Sequence, residues 1–465
     1  MTLIKSISGI RGTIGGETGN ALTPIDIVKF TAAYATELRR RLPGKDSYKV
    51  VVGRDARISG KMVESIVCGT LLACGIDVVN AGMASTPTTE MAVIFEKADG
   101  GIILTASHNP KEWNALKLLN ERGEFLSAKE GESLLECAEA EDFTFYSVDK
   151  IGKMVHKDFT MEHINAVLDD KLVDRKAIRE AGFKVVLDAV NSIGGPTMPL
   201  LMKELGVECI ELNCEPTGNF AHNPEPLPHN LTALSETVVK EKADLGISVD
   251  PDVDRLALIC ENGEPFGEEY TLVSVADYVL SNNKGGSTVS NLSSSRALRD
   301  ITQKWGGTYS AAAVGEVNVT TKMREVSAVI GGEGNGGVIY PNLHYGRDAY
   351  MGIALFLSNL AHKKVKVSQL RREYPDYFIS KNRIEISDKA LIDKILNAVK
   401  EKYSSERVTT IDGVKIDFDA QKKWVHLRKS NTEPIIRIYS EAPTMEEANA
   451  LAEEIKSEVD KIVKA

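Results

Sequence analysis

The sequence predicts an α/β protein: three similar mixed α/β domains followed by a smaller C-terminal α+β domain. Three observations carry this expectation. Strand-like apolar runs alternate with helical patterns through most of the 465 residues. A strand–helix–strand unit, followed by a further strand and a loop of unusual chemistry, occurs three times. After residue 376 the pattern changes to helices around several closely spaced strands.

The first unit opens with a β-branched run at 48–53, a strand. A helix follows over 59–74, with Met62, Ile66 and Leu71 on or near one face and Gly75 as its C′ residue. Residues 76–80 are the next strand, and 101–105 a further one that runs into Ala106-Ser107-His108-Asn109-Pro110. The second unit has a strand at 183–188, a helix at 195–205 and a strand at 207–212. Its further strand, 244–249, runs into Asp250-Pro251-Asp252-Val253-Asp254-Arg255. The third has a strand at 287–291, a helix at 294–305 and a strand at 308–312. Its further strand, 328–331, runs into Gly332-Glu333-Gly334-Asn335-Gly336-Gly337. Ligands of α/β sheets gather at the carboxyl ends of strands, so the three loops are expected to converge on one cleft. The polar stretch 371–376 is the expected connection to the last domain. That domain has a helix at 389–403, strands at 408–418, 423–427 and 434–441, and an amphipathic helix at 444–464.

Composition excludes several function classes. Lys and Arg total 56 against 66 Asp and Glu, a net charge of −10, which argues against nucleic-acid binding. No apolar run reaches the roughly 20 residues needed to span a bilayer. Met1-Thr2-Leu3-Ile4-Lys5 lacks the pattern of a secretory leader, so none is expected. The six cysteines form no C-x-x-C pair and read as reduced thiols of a cytoplasmic protein. No H-x-x-x-H pair is present, so a zincin-type site is unsupported.

Asp250, Asp252 and Asp254 place three carboxylates at alternate positions of one loop, a hard oxygen site suited to Mg²⁺. A solvated acidic turn is the bland alternative. An EF-hand loop is another: Glu261 falls at its twelfth position, but Arg255 stands at the sixth, where glycine is needed. Ser107 ends a strand and is either a turn serine or a nucleophile that carries a phosphate. No G-x-S-x-G elbow accompanies it. In the last domain, Arg428, Ser430, Asn431, Thr432 and Arg437 offer guanidinium, hydroxyl and amide donors around one loop, either a turn or an anion site. Residues 8–13 form a glycine-rich loop with Arg11, which alone is only a turn signal. Glu333 offers a carboxylate to two hydroxyls beside glycines that admit close backbone approach.

Taken in order, these loops resemble the α-D-phosphohexomutase superfamily, which includes phosphoglucomutase, phosphomannomutase and phosphoglucosamine mutase. The resemblance spans essentially the whole chain. Residues 105–110 are similar to its phosphoserine loop, 250–255 to its metal loop, 332–337 to its sugar loop and 428–434 to its phosphate loop. It implies four domains around a central cleft, with expected ranges 1–153, 154–257, 258–370 and 377–465.

The resemblance also implies a reaction. Ser107, as phosphoserine, exchanges its phosphoryl group with a hexose phosphate through a bisphosphorylated sugar, which also serves as activator. One Mg²⁺ per chain is expected on Asp250, Asp252, Asp254 and a Ser107 phosphate oxygen. Arg255 and Arg11 are expected on the transferring phosphate, His108 to order the loop, and Lys117 to act as general base with a lowered pKa. Glu333, Asn335, Arg428, Ser430, Asn431, Thr432 and Arg437 are expected to bind substrate. Partners are then small hexose phosphates, with no nucleic acid or membrane, and the protein a monomer or homodimer. Asn335 and Gly337 stand where the family's G-E-x-S-G-H has Ser and His, and Ala115 where Gly is usual. His344 is the candidate replacement for the histidine. The form G-E-G-N-G-G resembles the archaeal-type branch. Phosphoglucosamine is the first substrate expectation and glucose or mannose phosphate the second. A non-catalytic sugar-phosphate binder and a phosphatase are the readings of other classes.

Overall fold

The computed structural model describes every residue except Met1, Ile7, Ser8, 387–389, 430–434 and Ala465. It comprises two compact units, one of residues 1–279 and 335–371, the other of 280–334 and 372–465.

The first unit holds two sheets. The larger has seven strands: β1 (Leu3–Ser6), β2 (Gly9–Thr13), β3 (Lys49–Arg54), β4 (Asp77–Met83), β5 (Gly100–Leu104), β6 (Trp113–Leu119) and β7 (Met154–His156). Their order is β1-β2-β6-β5-β3-β4-β7. β3 is parallel to both β4 and β5, while β6 runs antiparallel between β5 and β2. Val50, Val51 and Val52 in β3 are all fully buried because both sheet faces are covered, which is why they read as a continuous apolar run. One core packs Val50 and Val52 with Phe30, Leu38, Val63, Val67 and Leu71. The other packs Val51 and Ile103 with Ala92 and Val93 of the helix Thr86–Glu96. Burying each such side chain contributes about 1.5–3 kcal/mol relative to exposure. Thr23 and Asp26 form a capping box at the start of the helix Pro24–Arg41.

The second sheet has four strands: β8 (Lys184–Asp188), β9 (Glu208–Leu212), β10 (Leu245–Val249) and β11 (Leu256–Cys260), in the order β11-β10-β8-β9. β8 is parallel to β9 and β10, and β11 is antiparallel to β10. β15 (Gly337–Ile339) and the buried helix Ala349–Lys363 also belong to this unit.

The second unit begins with β12 (Thr288–Asn291), β13 (Tyr309–Ala312) and β14 (Ile330–Glu333), with β12 parallel to both others. The orders β5-β3-β4, β10-β8-β9 and β14-β12-β13 are the same. The threefold repeat of the sequence is therefore a repeat of topology. In each, the third strand of the unit runs straight into one of the three marked loops.

The C-terminal sheet adds β16 (Phe378–Glu385), β17 (Arg407–Thr409), β18 (Val414–Phe418), β19 (Lys423–Lys429) and β20 (Ile435–Ala442), ordered β16-β20-β19-β18-β17. This corrects two expectations. Residues 408–418 are two strands, not one, because Asp412-Gly413 turns the chain between β17 and β18. β16 was not expected; its burial alternates only weakly, which hides a strand signal. The helices Ala390–Lys402 and Met445–Lys464 cover one sheet face around Val425, Leu427, Ile436 and Ile438. Trp424, His426 and Glu441 lie on the other. There His426 Nδ1 meets Ser293 Oγ at 2.9 Å, and Glu441 Oε1 accepts from the Arg296 amide at 3.0 Å. No disulfide joins any of the six cysteines. Among the described residues, no helix is long and apolar enough to cross a membrane.

Candidate active site

Within the first unit the phosphoserine-type loop and the acidic loop meet. Ser107 Oγ donates to Asp250 Oδ2 at 2.7 Å, and both residues are buried. The backbone around Ser107 is held by groups the sequence did not mark. Its N–H donates to Thr105 Oγ1 at 2.9 Å, and that hydroxyl donates to Asp55 Oδ2 at 2.7 Å. Asp55 in turn pairs with Arg57, a fully buried side chain. Arg57 donates to the carbonyls of Ser107, Asn109, Pro110 and Trp113. One guanidinium thus ties three carbonyls of the loop to that of Trp113 at the start of β6, which holds Ser107 at φ +49°.

The acidic loop is built as tightly. Asp250 Oδ1 accepts the amides of Asp254 and Arg255 at 3.2 and 3.1 Å. Asp252 Oδ2 accepts from Lys117 Nζ and Thr86 Oγ1, both at 2.7 Å. Asp254 Oδ2 accepts from Lys117 at 3.4 Å and from Arg347 at 2.7 Å. The three carboxylates present ligand atoms within 4.8 Å of one another. Asp252 Oδ1 and Asp254 Oδ1 are buried and have no hydrogen-bond partner. Buried carboxylate oxygens left bare beside one another are costly, and a small hard cation is what satisfies them. The residues therefore fit a divalent cation.

Electrostatics agree with this crowding. Burial, then Asp252 and Asp254, push the Asp250 carboxyl well above the usual range. Burial also pushes Asp252 up, but the Lys117 ammonium and the Thr86 hydroxyl hold it below that range. Lys117 departs from expectation: burial lowers its pKa, but Asp252 and Asp254 together outweigh burial and raise it. In this arrangement it is a charged donor. His108 Nδ1 lies 3.3 Å from Ser107 Oγ. Burial, with Arg255 and Arg11 nearby, brings its pKa down to about 2, so the ring is neutral. Arg11 in β2 donates to Asn109 Oδ1 at 2.8 Å, which places it against the Ser107 loop. The Arg255 side chain lies 3.7 Å from Glu225.

The sugar-type loop divides between the units. Glu333 ends β14, is buried, and its Oε1 accepts from Asn291 at 2.9 Å and from the Gly315 amide at 3.3 Å. Asn335 belongs to the first unit, where its Oδ1 accepts the Gly337 amide at 3.2 Å. The Gly336 carbonyl accepts from Leu256 at 3.1 Å, just past the acidic loop. His344 is not free to replace a sugar-loop histidine. It is buried against Asp348, 3.2 Å away, and Glu90, 3.3 Å away.

In the second unit, Arg428 pairs with Asp412 and stands opposite Arg437 across β19 and β20. Arg383, which the sequence did not mark, is in turn opposite Arg437 across β16 and β20. Like charges side by side across strands repel, so a row of three arginines at this sheet end suits an anion. Ser430, Asn431 and Thr432 lie outside the described residues.

Models of the phosphoglucomutase/phosphomannomutase alpha/beta/alpha domains I, II and III match residues 3–145, 161–263 and 267–377, and that of its C-terminal domain matches 383–458. The chain belongs to the phosphoglucomutase/phosphomannomutase family. It is thus a mutase, an isomerase of the phosphohexomutase superfamily. A phosphoglucomutase/phosphomannomutase of Thermococcus kodakarensis is 38% identical over 449 residues, 96% of each chain. A phosphoglucosamine/phosphogalactosamine mutase of Sulfurisphaera tokodaii is 33% identical over 462 residues, 97% of this chain and 98% of that one. The crystal structure of a family member from Burkholderia thailandensis superposes with a TM-score of 0.85 at 26% identity, covering 99% of this chain and 97% of that one.

Proposed function

We propose that the chain interconverts hexose 6-phosphate and hexose 1-phosphate through a phosphoserine at Ser107 and a bisphosphorylated sugar. The observation that carries this reading is the Ser107 Oγ–Asp250 contact of 2.7 Å, which sets a candidate nucleophile on a cation-type triad. Asp250, Asp252 and Asp254 would hold Mg²⁺, which when bound supplies charge neutralisation for phosphoryl transfer.

The chain's own residues do the rest. The sugar hydroxyl attacks the Ser107 phosphate; the serine P–O bond breaks as the sugar P–O bond forms. The other phosphate of the bisphosphate later returns to Ser107 by the reverse exchange, so a sugar bisphosphate also activates unphosphorylated protein. Lys117 is the proton acceptor that the family resemblance implies for this reading; with Asp252 and Asp254 as partners its pKa is raised, so it takes that role only when those carboxylates are engaged elsewhere. Arg11 and Arg255 receive the transferring oxygens. His108 contributes a neutral ring that orders the loop. Glu333, Asn335, Arg428, Ser430, Asn431, Thr432 and Arg437 bind the sugar and its distal phosphate, in a cytoplasmic enzyme.

Phosphoglucosamine is the first substrate reading, since the buried Glu333 carboxylate suits a sugar ammonium. Glucose or mannose phosphate is the second, favoured by the 38% identical relative. Two measurements test these readings. Intact mass after incubation with sugar bisphosphate should show one added phosphate, absent from Ser107→Ala, whose mutase activity falls at least about a thousandfold. Full activity in that variant overturns the phosphoserine. For the sugar, kcat/KM is compared on the three 1-phosphates. Glucosamine 1-phosphate the poorest by more than about tenfold, or ~1.4 kcal/mol, reverses the order of the two readings.

A further inference from the structure

Arg347 lies outside every loop the sequence marks, yet its guanidinium ends on the acidic triad. Nη2 donates to Asp254 Oδ2 at 2.7 Å, and 9% of the side chain is exposed. Its backbone is fixed from both sides. Arg347 bridges Ile339 at the end of β15. The next residue, Asp348, donates its amide to the Val338 carbonyl at 2.8 Å and caps the helix Ala349–Lys363 through the amides of Tyr350 and Met351.

Gly337 makes room for the arginine. A Cβ there would fall on Arg347 Cδ and within 3.1 Å of its Cγ. Gly337 is not among the glycines at positive φ, so space rather than backbone conformation calls for glycine. Each carboxylate of the triad then has an internal partner: Ser107 for Asp250, Lys117 for Asp252 and Arg347 for Asp254. Asp254 reaches Lys117 only at 3.4 Å, so Arg347 is its closer countercharge. Arg347 also opposes the positive charge on Lys117 and on His108, which puts both groups within its field.

We propose that Arg347 is a positioning residue of the triad: it neutralises and orients Asp254 and so sets the affinity for the divalent cation, with Gly337 the position that admits it. The inference rests on the reading of the triad as a cation site. A fixed positive charge on one ligand carboxylate competes with an incoming cation, so removing it tightens cation binding while leaving the cation-free protein less stable.

The test uses the full chain without substrate and Mn²⁺ as probe, with free ion followed by electron paramagnetic resonance. Arg347→Met should bind Mn²⁺ at least about fivefold more tightly than the wild type. It should also melt lower in chelator and recover with Mn²⁺. Arg347→Lys, which keeps the charge, should stay within about twofold of the wild type. Gly337→Ala, which displaces the side chain without removing it, should also tighten binding. The double variant Arg347→Met/Gly337→Ala should bind no more tightly than Arg347→Met. An Arg347→Met dissociation constant unchanged or weakened overturns the proposal, as does a Gly337→Ala protein that binds like the wild type. Wild-type protein that takes up no Mn²⁺ overturns the cation reading of the triad itself, and this inference with it.

Discussion

Ser107 and Val253 hold φ at +49° and +62°, a region that residues other than glycine seldom occupy, and a β-branched side chain least of all. Each sits within a loop that meets the other. Such strain persists where surrounding contacts over-determine it. Around Ser107 those contacts are Arg57, Thr105 and Asp55. Around Val253 they are the Asp250 carboxylate, which takes two amides of its own loop, and the buried packing of Val253 itself. The strain at Ser107 can be separated from the loss of its hydroxyl. Ser107→Ala and Ser107→Gly both lose the hydrogen bond to Asp250 and both should be inactive. Only the glycine variant relieves the left-handed backbone. It should therefore be more stable than the alanine variant by about 1 kcal/mol in denaturant unfolding. Equal stability would mean that the loop relaxes in the alanine variant.

At the scale of elements, a buried cluster joins three helices of the first unit. Glu90 comes from the helix Thr86–Glu96, His163 from Thr160–Leu168, and Asp348 caps Ala349–Lys363. Asp348 Oδ2 meets His163 Nε2 at 2.9 Å and His344 Nε2 at 3.2 Å, and His344 Nδ1 faces Glu90 at 3.3 Å. Burial alone would discharge His344, but the Asp348 and Glu90 carboxylates on either side of its ring raise its pKa to about 10. A folded pKa above the unfolded value of about 6.5 gives stability that is complete below that pH and lost as pH rises through 10. Asp348 acts with the opposite sign: its depressed pKa gives stability that is lost only as pH falls below the ordinary carboxylate range. The melting temperature of the wild type should therefore decline between pH 7 and 10 more steeply than that of His344→Gln. Parallel profiles would show that His344 is neutral in the folded state.

Of this cluster the sequence marked only His344, and for a different role; Glu90, His163 and Asp348 lie on separate segments, and nothing local to any of them announces the others. The same holds for Arg57, 50 residues from Ser107, and for Arg347, 93 residues from Asp254. What could be read was local. The β-branched runs mark strands, Gly75 ends a helix, and three aspartates at alternate positions of one loop announce themselves without any partner.

For the whole molecule, the net charge of −10 says little about the candidate site, where Arg11, Lys117, Arg255 and Arg347 lie beside three carboxylates within a single unit. That local balance decides what cation removal does. In a small domain folded by its metal, the ligands have no other partners and the chelated chain unfolds. Here Asp250, Asp252 and Asp254 keep Ser107, Lys117 and Arg347, and the sheets have large apolar cores of their own. A cation present at about a hundred times its dissociation constant adds only ~2.7 kcal/mol, a rise in melting temperature of roughly 5–10 °C for domains of 150–250 residues. Chelation should abolish mutase turnover, leave the far-ultraviolet circular dichroism unchanged at 25 °C, lower the melting temperature by no more than that amount, and be fully reversed by Mg²⁺. A chelated chain that loses its secondary structure at 25 °C would show that the internal partners do not compensate the triad.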